Sequence, residues 1–145
     1  MATIAILGAG IMATALTFPL TENGHKVNLV GTHLDRDIIE SIQTTGVHPD
    51  LDLKVNDKVV AYQLEDAAEA FEGADVAMSG VNSFGVHWVS EQLTKLVKPG
   101  MKVLIITKGM EADEDGNLYL LPEVMQSYFD EDLKNSVTWS AIVGP

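Results

Sequence analysis

The start of the chain constrains it most. Thr3–Leu7 (TIAIL) is a short apolar run rich in β-branched residues, the pattern of a strand buried on both faces. Gly8-Ala9-Gly10-Ile11-Met12-Ala13 follows at once, and Ile11–Glu22 then reads as a helix. The turn is G-x-G-x-x-A, the alanine variant of the dinucleotide fingerprint, and it stands between strand and helix as the fingerprint requires. Gly8 allows a tight strand-to-helix turn. Gly10 lets the backbone approach a pyrophosphate with no Cβ in the way, and Ala13 keeps the helix close to the sheet. The helix N-terminus adds free N–H groups and the positive end of a dipole.

The same alternation continues along the chain. Pro19 is expected to end or kink the first helix early, and Asn23-Gly24 stops it before a second strand at Lys26–Val30. Asp35–Thr44 has helical spacing. Gly46–Tyr62 is less regular, and LDLKVNDKVVAY suggests two short strands about an Asn56-Asp57 turn, an insertion more than a core element. A short helix at Leu64–Phe71, a strand in ADVAMSGV, a helix at Val86–Leu96 and a strand in KVLIIT follow in order. Leu118–Phe129 is expected to be helical and Val137–Val143 to be the last strand. This order predicts an α/β fold of the Rossmann type: doubly wound, mainly parallel, with helices on both faces of the sheet. Residues 1–145 form one such domain, with apolar material for one core.

Composition removes several classes of function. Lys+Arg is 9 against Asp+Glu 21, a formal net charge of −12, where a nucleic-acid binder carries the opposite sign. An anionic ligand must therefore be held by a local arrangement and not by the field of the whole surface. With no cysteine there is no disulfide framework, thiolate metal site or cysteine nucleophile. His25, His33, His48 and His87 show no metal-ligand spacing and read as surface or satisfied core residues, so no metal is expected. The acidic stretch from Glu111 to Asp132, free of Lys and Arg, reads as a solvated loop and helix face. Met1–Thr21 is uncharged, yet it lacks a basic leading region and is broken by Gly8, Gly10 and Pro19. A strand and a helix explain it better than a membrane span, and the expected location is the cytoplasm.

About 20 residues beyond the fingerprint, an NAD site usually carries an acid for the ribose 2′-hydroxyl. Here the second strand ends in Gly31-Thr32-His33-Leu34-Asp35-Arg36. Arg36, the only arginine, could with Thr32 and His33 accept the 2′-phosphate of NADP, whereas Asp35 and Asp37 oppose it. The choice between NAD and NADP stays open.

Three further segments follow later strands: Gly80-Val81-Asn82-Ser83, Thr107-Lys108-Gly109-Met110-Glu111 and Ile142-Val143-Gly144-Pro145. Together with GAGIMATAL, in this order, they resemble the N-terminal domain of NAD(P)-dependent glycerol-3-phosphate dehydrogenase over the whole chain. The resemblance implies a cofactor domain completed by a C-terminal helical substrate domain, which this chain does not contain. It implies reversible hydride transfer between NAD(P)H and dihydroxyacetone phosphate, giving sn-glycerol 3-phosphate, a step of glycerophospholipid metabolism. It places Gly8, Gly10, Ile11 and Met12 at the pyrophosphate and Thr32 on the adenosine side, with Val81, Asn82 and Ser83 along the cofactor's path. Lys108 and Gly144 would touch both substrate and cofactor. Lys108 follows a buried strand beside a glycine, where its ammonium could stabilise charge developing on a carbonyl or phosphate; it is the candidate catalytic residue. The substrate is then a phosphorylated small molecule, and the full-length form admits a homodimer.

The sequence departs from many bacterial members at Ile11-Met12 and at Thr32. The family's principal catalytic lysine belongs to the C-terminal domain, so this chain alone is expected to bind cofactor with little or no turnover. Two other readings are open: the cofactor domain of another two-domain NAD(P)-dependent 2-oxo reductase, and a dinucleotide-binding module without catalysis.

Overall fold

Alternate residues of β1 (Thr3–Leu7) face two different cores, because successive strand side chains point to opposite sides. Ile4 and Ile6 face one side, Ala5 and Leu7 the other. The computed structural model describes residues 1–142. After β1 come α1 (Ile11–Glu22), β2 (Lys26–Val30) and α2 (Arg36–Thr45). A small hairpin, β3 (Val47–His48) with β4 (Leu53–Lys54), precedes β5 (Val59–Tyr62). A 3-10 turn at Leu64–Asp66 leads into α3 (Ala67–Phe71), β6 (Val76–Ser79), a second 3-10 turn at Ser83–Gly85 and α4 (Val86–Leu96). The rest is β7 (Lys102–Ile105), the hairpin β8 (Met110–Ala112) and β9 (Leu118–Leu120), α5 (Leu121–Ser127), α6 (Glu131–Ser136) and β10 (Thr138–Ala141).

Six strands form one parallel sheet in the order β10-β7-β6-β1-β2-β5. The chain winds outward from β1 through β2 to β5, then crosses back to β6 and winds the other way. Side by side but not consecutive, β1 and β6 therefore mark the switch point where open α/β sheets hold their ligands. On one face α1 and α2 bury Ala13, Ile39 and Ile42 against Ile6, Leu29 and Met78. On the other, α3, α4 and α5 bury Phe71, Leu93 and Met125 against Leu7, Val30 and Ile105. Asn28, the polar residue of β2, is satisfied by donating its side-chain amide to the Ala70 carbonyl at 2.7 Å. No helix among the described residues is long and apolar enough to cross a membrane.

Three expectations change. The helix α1 continues through Pro19, whose carbonyl accepts from both the backbone and side-chain N–H of Asn23. Its sheet-facing threonines are neutralised within the helix, Thr17 donating to Thr14 and Thr21 to Thr17 at 2.7 and 2.8 Å. The two strands of LDLKVNDKVVAY do not pair with each other. Leu53–Lys54 turns back on Val47–His48, while Val59–Tyr62 joins the main sheet beside β2 as its edge. Finally, Leu118–Leu120 is not helical but pairs with Met110–Ala112; the helix starts at Leu121, with Pro122 in its first turn. The last strand is observed over Thr138–Ala141, and Gly144 lies outside the described residues.

Candidate functional site

The two glycines of the turn serve different ends. Gly8 has φ +121°, and a Cβ on it would stand 2.6 Å from the Gly80 carbonyl oxygen. Its N–H donates to Val30 and that of Gly80 to Leu7, both at 2.8 Å, stitching the turn to the ends of β2, β1 and β6. Gly8 is therefore demanded by the fold. Gly10 is not. Its φ of −68° suits any residue, and a Cβ there would meet nothing within 4 Å.

The open space beside Gly10 is a cleft of about 920 Å³ at the carboxyl ends of the central strands. The uncapped N-terminus of α1 lies on it. Thr14 makes the first helical bond, to Gly10 at 2.9 Å, so Ile11, Met12 and Ala13 have N–H groups with no acceptor inside the helix. Thr32 to Asp35 line the cleft from the end of β2, Val81 to Gly85 from the end of β6, and Ile106 to Lys108 from the end of β7. Thr107 ties the last two together through its hydroxyl, which donates to the Val81 carbonyl at 2.6 Å. Lys108 is exposed and is the one Lys or Arg among the lining residues.

Gly8, Gly10, Ile11, Met12, Thr32, Val81, Asn82, Ser83 and Lys108, singled out from sequence, thus meet in one cleft. Arg36 does not join them. It stands one residue past the N-cap of α2, and its guanidinium pairs with Glu65 on the 3-10 turn beyond β5. Asp35, by contrast, lines the cleft and turns its carboxylate inward. Its Oδ2 accepts the N–H of Thr32 at 2.8 Å and that of Ala9 at 3.1 Å, bridging the end of β2 to the glycine turn.

Sequence reasoning passed over Trp88, whose ring stands edge-on to His33 at 5.1 Å on the cleft wall, and Leu16, Leu34 and Phe84. Phe84 is almost wholly exposed, a placement that periodicity does not reveal. A second depression, of about 450 Å³, is walled by His87, Glu111, Asp113, Tyr119 and Tyr128. There His87 bonds the Tyr128 hydroxyl at 2.6 Å and the Glu111 carboxylate at 2.9 Å. Burial, and then the Glu91 and Glu111 charges, raise the Tyr128 phenol above its ordinary pKa. Among the described residues no three His, Asp or Glu side chains are grouped as a metal would need.

The family described as NAD-dependent glycerol-3-phosphate dehydrogenase N-terminus matches residues 3–145. An NADP(+)-dependent glycerol-3-phosphate dehydrogenase of Archaeoglobus fulgidus is 34% identical over 98% of this chain and 41% of its own length. A glycerol-3-phosphate dehydrogenase [NAD(P)+] of Latilactobacillus sakei is 31% identical over 92% of this chain and 39% of its own. The crystal structure of the glycerol-3-phosphate dehydrogenase of Coxiella burnetii superposes with a TM-score of 0.79 at 28% identity, covering 99% of this chain and 41% of that one. The chain spans about two fifths of the length of these relatives. Its strand order, its glycine turn and this match across nearly all its residues place it in one family: the chain belongs to the N-terminal domains of NAD-dependent glycerol-3-phosphate dehydrogenase.

Proposed function

We propose that this domain holds the nicotinamide dinucleotide, NAD or NADP, of a glycerol-3-phosphate dehydrogenase acting in the cytoplasm. The observation that carries the reading is Gly10. Its backbone angle does not need glycine and the fold leaves its Cβ direction empty, so the missing side chain makes room for something outside the fold. A pyrophosphate fits that room, since the donors around it are the unpaired N–H groups of an uncapped helix end. Thr32 and His33 would flank the adenosine side, and Val81, Asn82 and Ser83 the path toward the nicotinamide.

A bound nicotinamide would supply the hydride donor or acceptor for the substrate carbonyl carbon, and with a proton gained or lost at the oxygen this would interconvert dihydroxyacetone phosphate and sn-glycerol 3-phosphate. Lys108 is the proposed catalytic and substrate-binding residue. Lys108 lines the cleft just past the end of β7, and its ammonium would hold the substrate phosphate or offset negative charge growing on the carbonyl oxygen. Gly144 is proposed to approach the same ligands. A helical domain following this one would complete the pocket, and the 145 residues alone would bind without appreciable turnover.

Calorimetric titration with NADH and NADPH tests the proposal. The native chain should bind at least one of them saturably. Gly10→Trp should weaken binding by tenfold or more, about 1.4 kcal/mol or greater, with a melting temperature close to native. No binding by the native chain, or equal binding by the variant, would refute the reading. If the chain joined to its substrate domain reduced a different ketone and left dihydroxyacetone phosphate untouched, the substrate assignment alone would fall.

A further inference from the structure

Both hydrogen-bonding groups of Ala9, in the middle of the glycine turn, are engaged by side chains. Its N–H goes to Asp35, and its carbonyl receives the Thr14 hydroxyl at 3.2 Å and Nε2 of His48 at 3.0 Å. His48 is fully buried and lies on β3, 39 residues further along the chain. Its Nδ1 accepts the backbone N–H of Leu51 at 3.3 Å, and in a neutral imidazole that leaves Nε2 as the donor to Ala9. The ring therefore spans two jobs at once, closing its own hairpin and reaching back to the turn.

In a trans peptide the C=O and N–H point in opposite directions. A donor held on the Ala9 carbonyl from the buried side thus turns the Gly10 N–H away from His48. Gly10 lines the cleft. Drawing electron density toward the oxygen also makes that N–H a better donor, since hydrogen bonds in a chain polarise one another.

From this geometry we infer that His48 is a positioning residue for the cofactor's pyrophosphate: it fixes and polarises the Ala9–Gly10 peptide so that the Gly10 N–H meets the phosphate in a set direction. The inference rests on the cofactor reading above. The hairpin itself is closed without the second bond, by the Leu51 contact, by the N–H of Asp52 on the His48 carbonyl and by that of Val55 on the Gly46 carbonyl, both at 2.9 Å.

Two substitutions separate the two jobs. His48→Asn keeps an acceptor near the Nδ1 position for Leu51 but is too short to reach Ala9. His48→Gln carries an amide donor out to about the Nε2 position but gives up the Leu51 contact. With NADH as the probe and Trp88 fluorescence as the readout, His48→Asn should bind about tenfold more weakly and His48→Gln within about threefold of native. Thermal melts without cofactor report the hairpin role separately. Native-like binding by His48→Asn, or weakening by both variants in proportion to their loss of melting temperature, would overturn the inference while leaving the cofactor reading intact. Failure of the native chain to bind NADH or NADPH would remove both.

The native protein provides a check that survives any loss of folding in the variants. In protein labelled with 15N-histidine, the Nε2 proton of His48 should move downfield saturably as NADH is added, because a phosphate on the Gly10 N–H strengthens the bond on the other side of the peptide. A proton resonance that stays fixed while NADH binds would refute the positioning role.

Discussion

The carboxylate of Asp35 accepts the N–H groups of Ala9 and Thr32, whereas the guanidinium of its neighbour Arg36 turns to Glu65. A negative charge thus sits at the end of the cleft proposed for the adenosine, and the chain's one arginine is paired outside it. A backbone hydrogen bond, and then the one from Arg36, hold the Glu65 carboxyl below its ordinary pKa, so the pair is charged at neutral pH. Whatever affinity this domain has for NADPH should then owe little to Arg36. Arg36→Ala is expected to change the ratio of NADPH to NADH affinity by less than about twofold, as a charge outside contact distance would in physiological salt. A tenfold loss confined to NADPH would put the guanidinium on the 2′-phosphate. From sequence the two residues looked like rivals for one ribose. Their separation was not legible, because it depends on where the start of α2 points relative to β5.

At the scale of elements, Pro19 shows what a helix tolerates when its buried face holds it. Proline in a helix interior removes one hydrogen bond and crowds the preceding turn. In α1 the sheet-facing Ala13, Thr14, Thr17 and Thr21 are all buried, and their packing outweighs that cost. Pro19 is exposed, so Pro19→Ala should stabilise the domain by about 1–2 kcal/mol, less than the full proline penalty because the unfolded chain gains freedom too. Chemical denaturation would show it; a destabilised variant would mean that the proline sets the helix's course. The strands and most helices were legible because each carries its period in a few adjacent residues. The hairpin β8–β9 was not, since Leu118–Leu120 is apolar without interruption and three such residues suit a helix as well as a strand. Its turn is held by Asp113, whose carboxylate accepts from the backbone of Asp115 and from the backbone and side chain of Asn117, at 2.8–3.0 Å. The Asn117 side chain first, then its backbone N–H, lower the Asp113 pKa. In the folded turn Asp113 binds fewer protons than in the open one, so the stability it gives is complete above the ordinary aspartate value and fades as pH falls through the lowered one. Amide exchange protection at Asn117 should therefore drop below about pH 4, and Asp113→Asn should lack that transition. An unchanged acid transition in the variant would assign it to another carboxylate.

For the whole molecule, the sequence and the fold agree on a division of labour between frame and charge. The doubly wound frame was legible from the order of strands and helices. The place of β5 as the sheet's edge was not, because edge pairing is decided by β2 across a gap in the chain, not by any local pattern. Nor was the reach of His48 from the hairpin to the glycine turn legible, since its partner is a backbone carbonyl that leaves no trace in residue type. The net charge of −12, with the cleft's one lysine at its far wall, bears directly on how a dinucleotide is held. The screening length is about 30 Å in 0.01 M salt and about 8 Å in 0.15 M. A domain of this length has a radius of gyration of roughly 15 Å, so at low salt the ligand's phosphates feel repulsion from the entire surface. At physiological salt that field is largely screened, while N–H groups at hydrogen-bonding distance lose much less. Affinity for NADH should therefore rise between these salt concentrations, by about twofold, the reverse of a ligand held by a basic surface. Calorimetric titration at the two concentrations checks the sign. A tenfold weakening in the higher salt would mean that cations such as Lys108, and not the backbone donors of the glycine turn, supply most of the attraction.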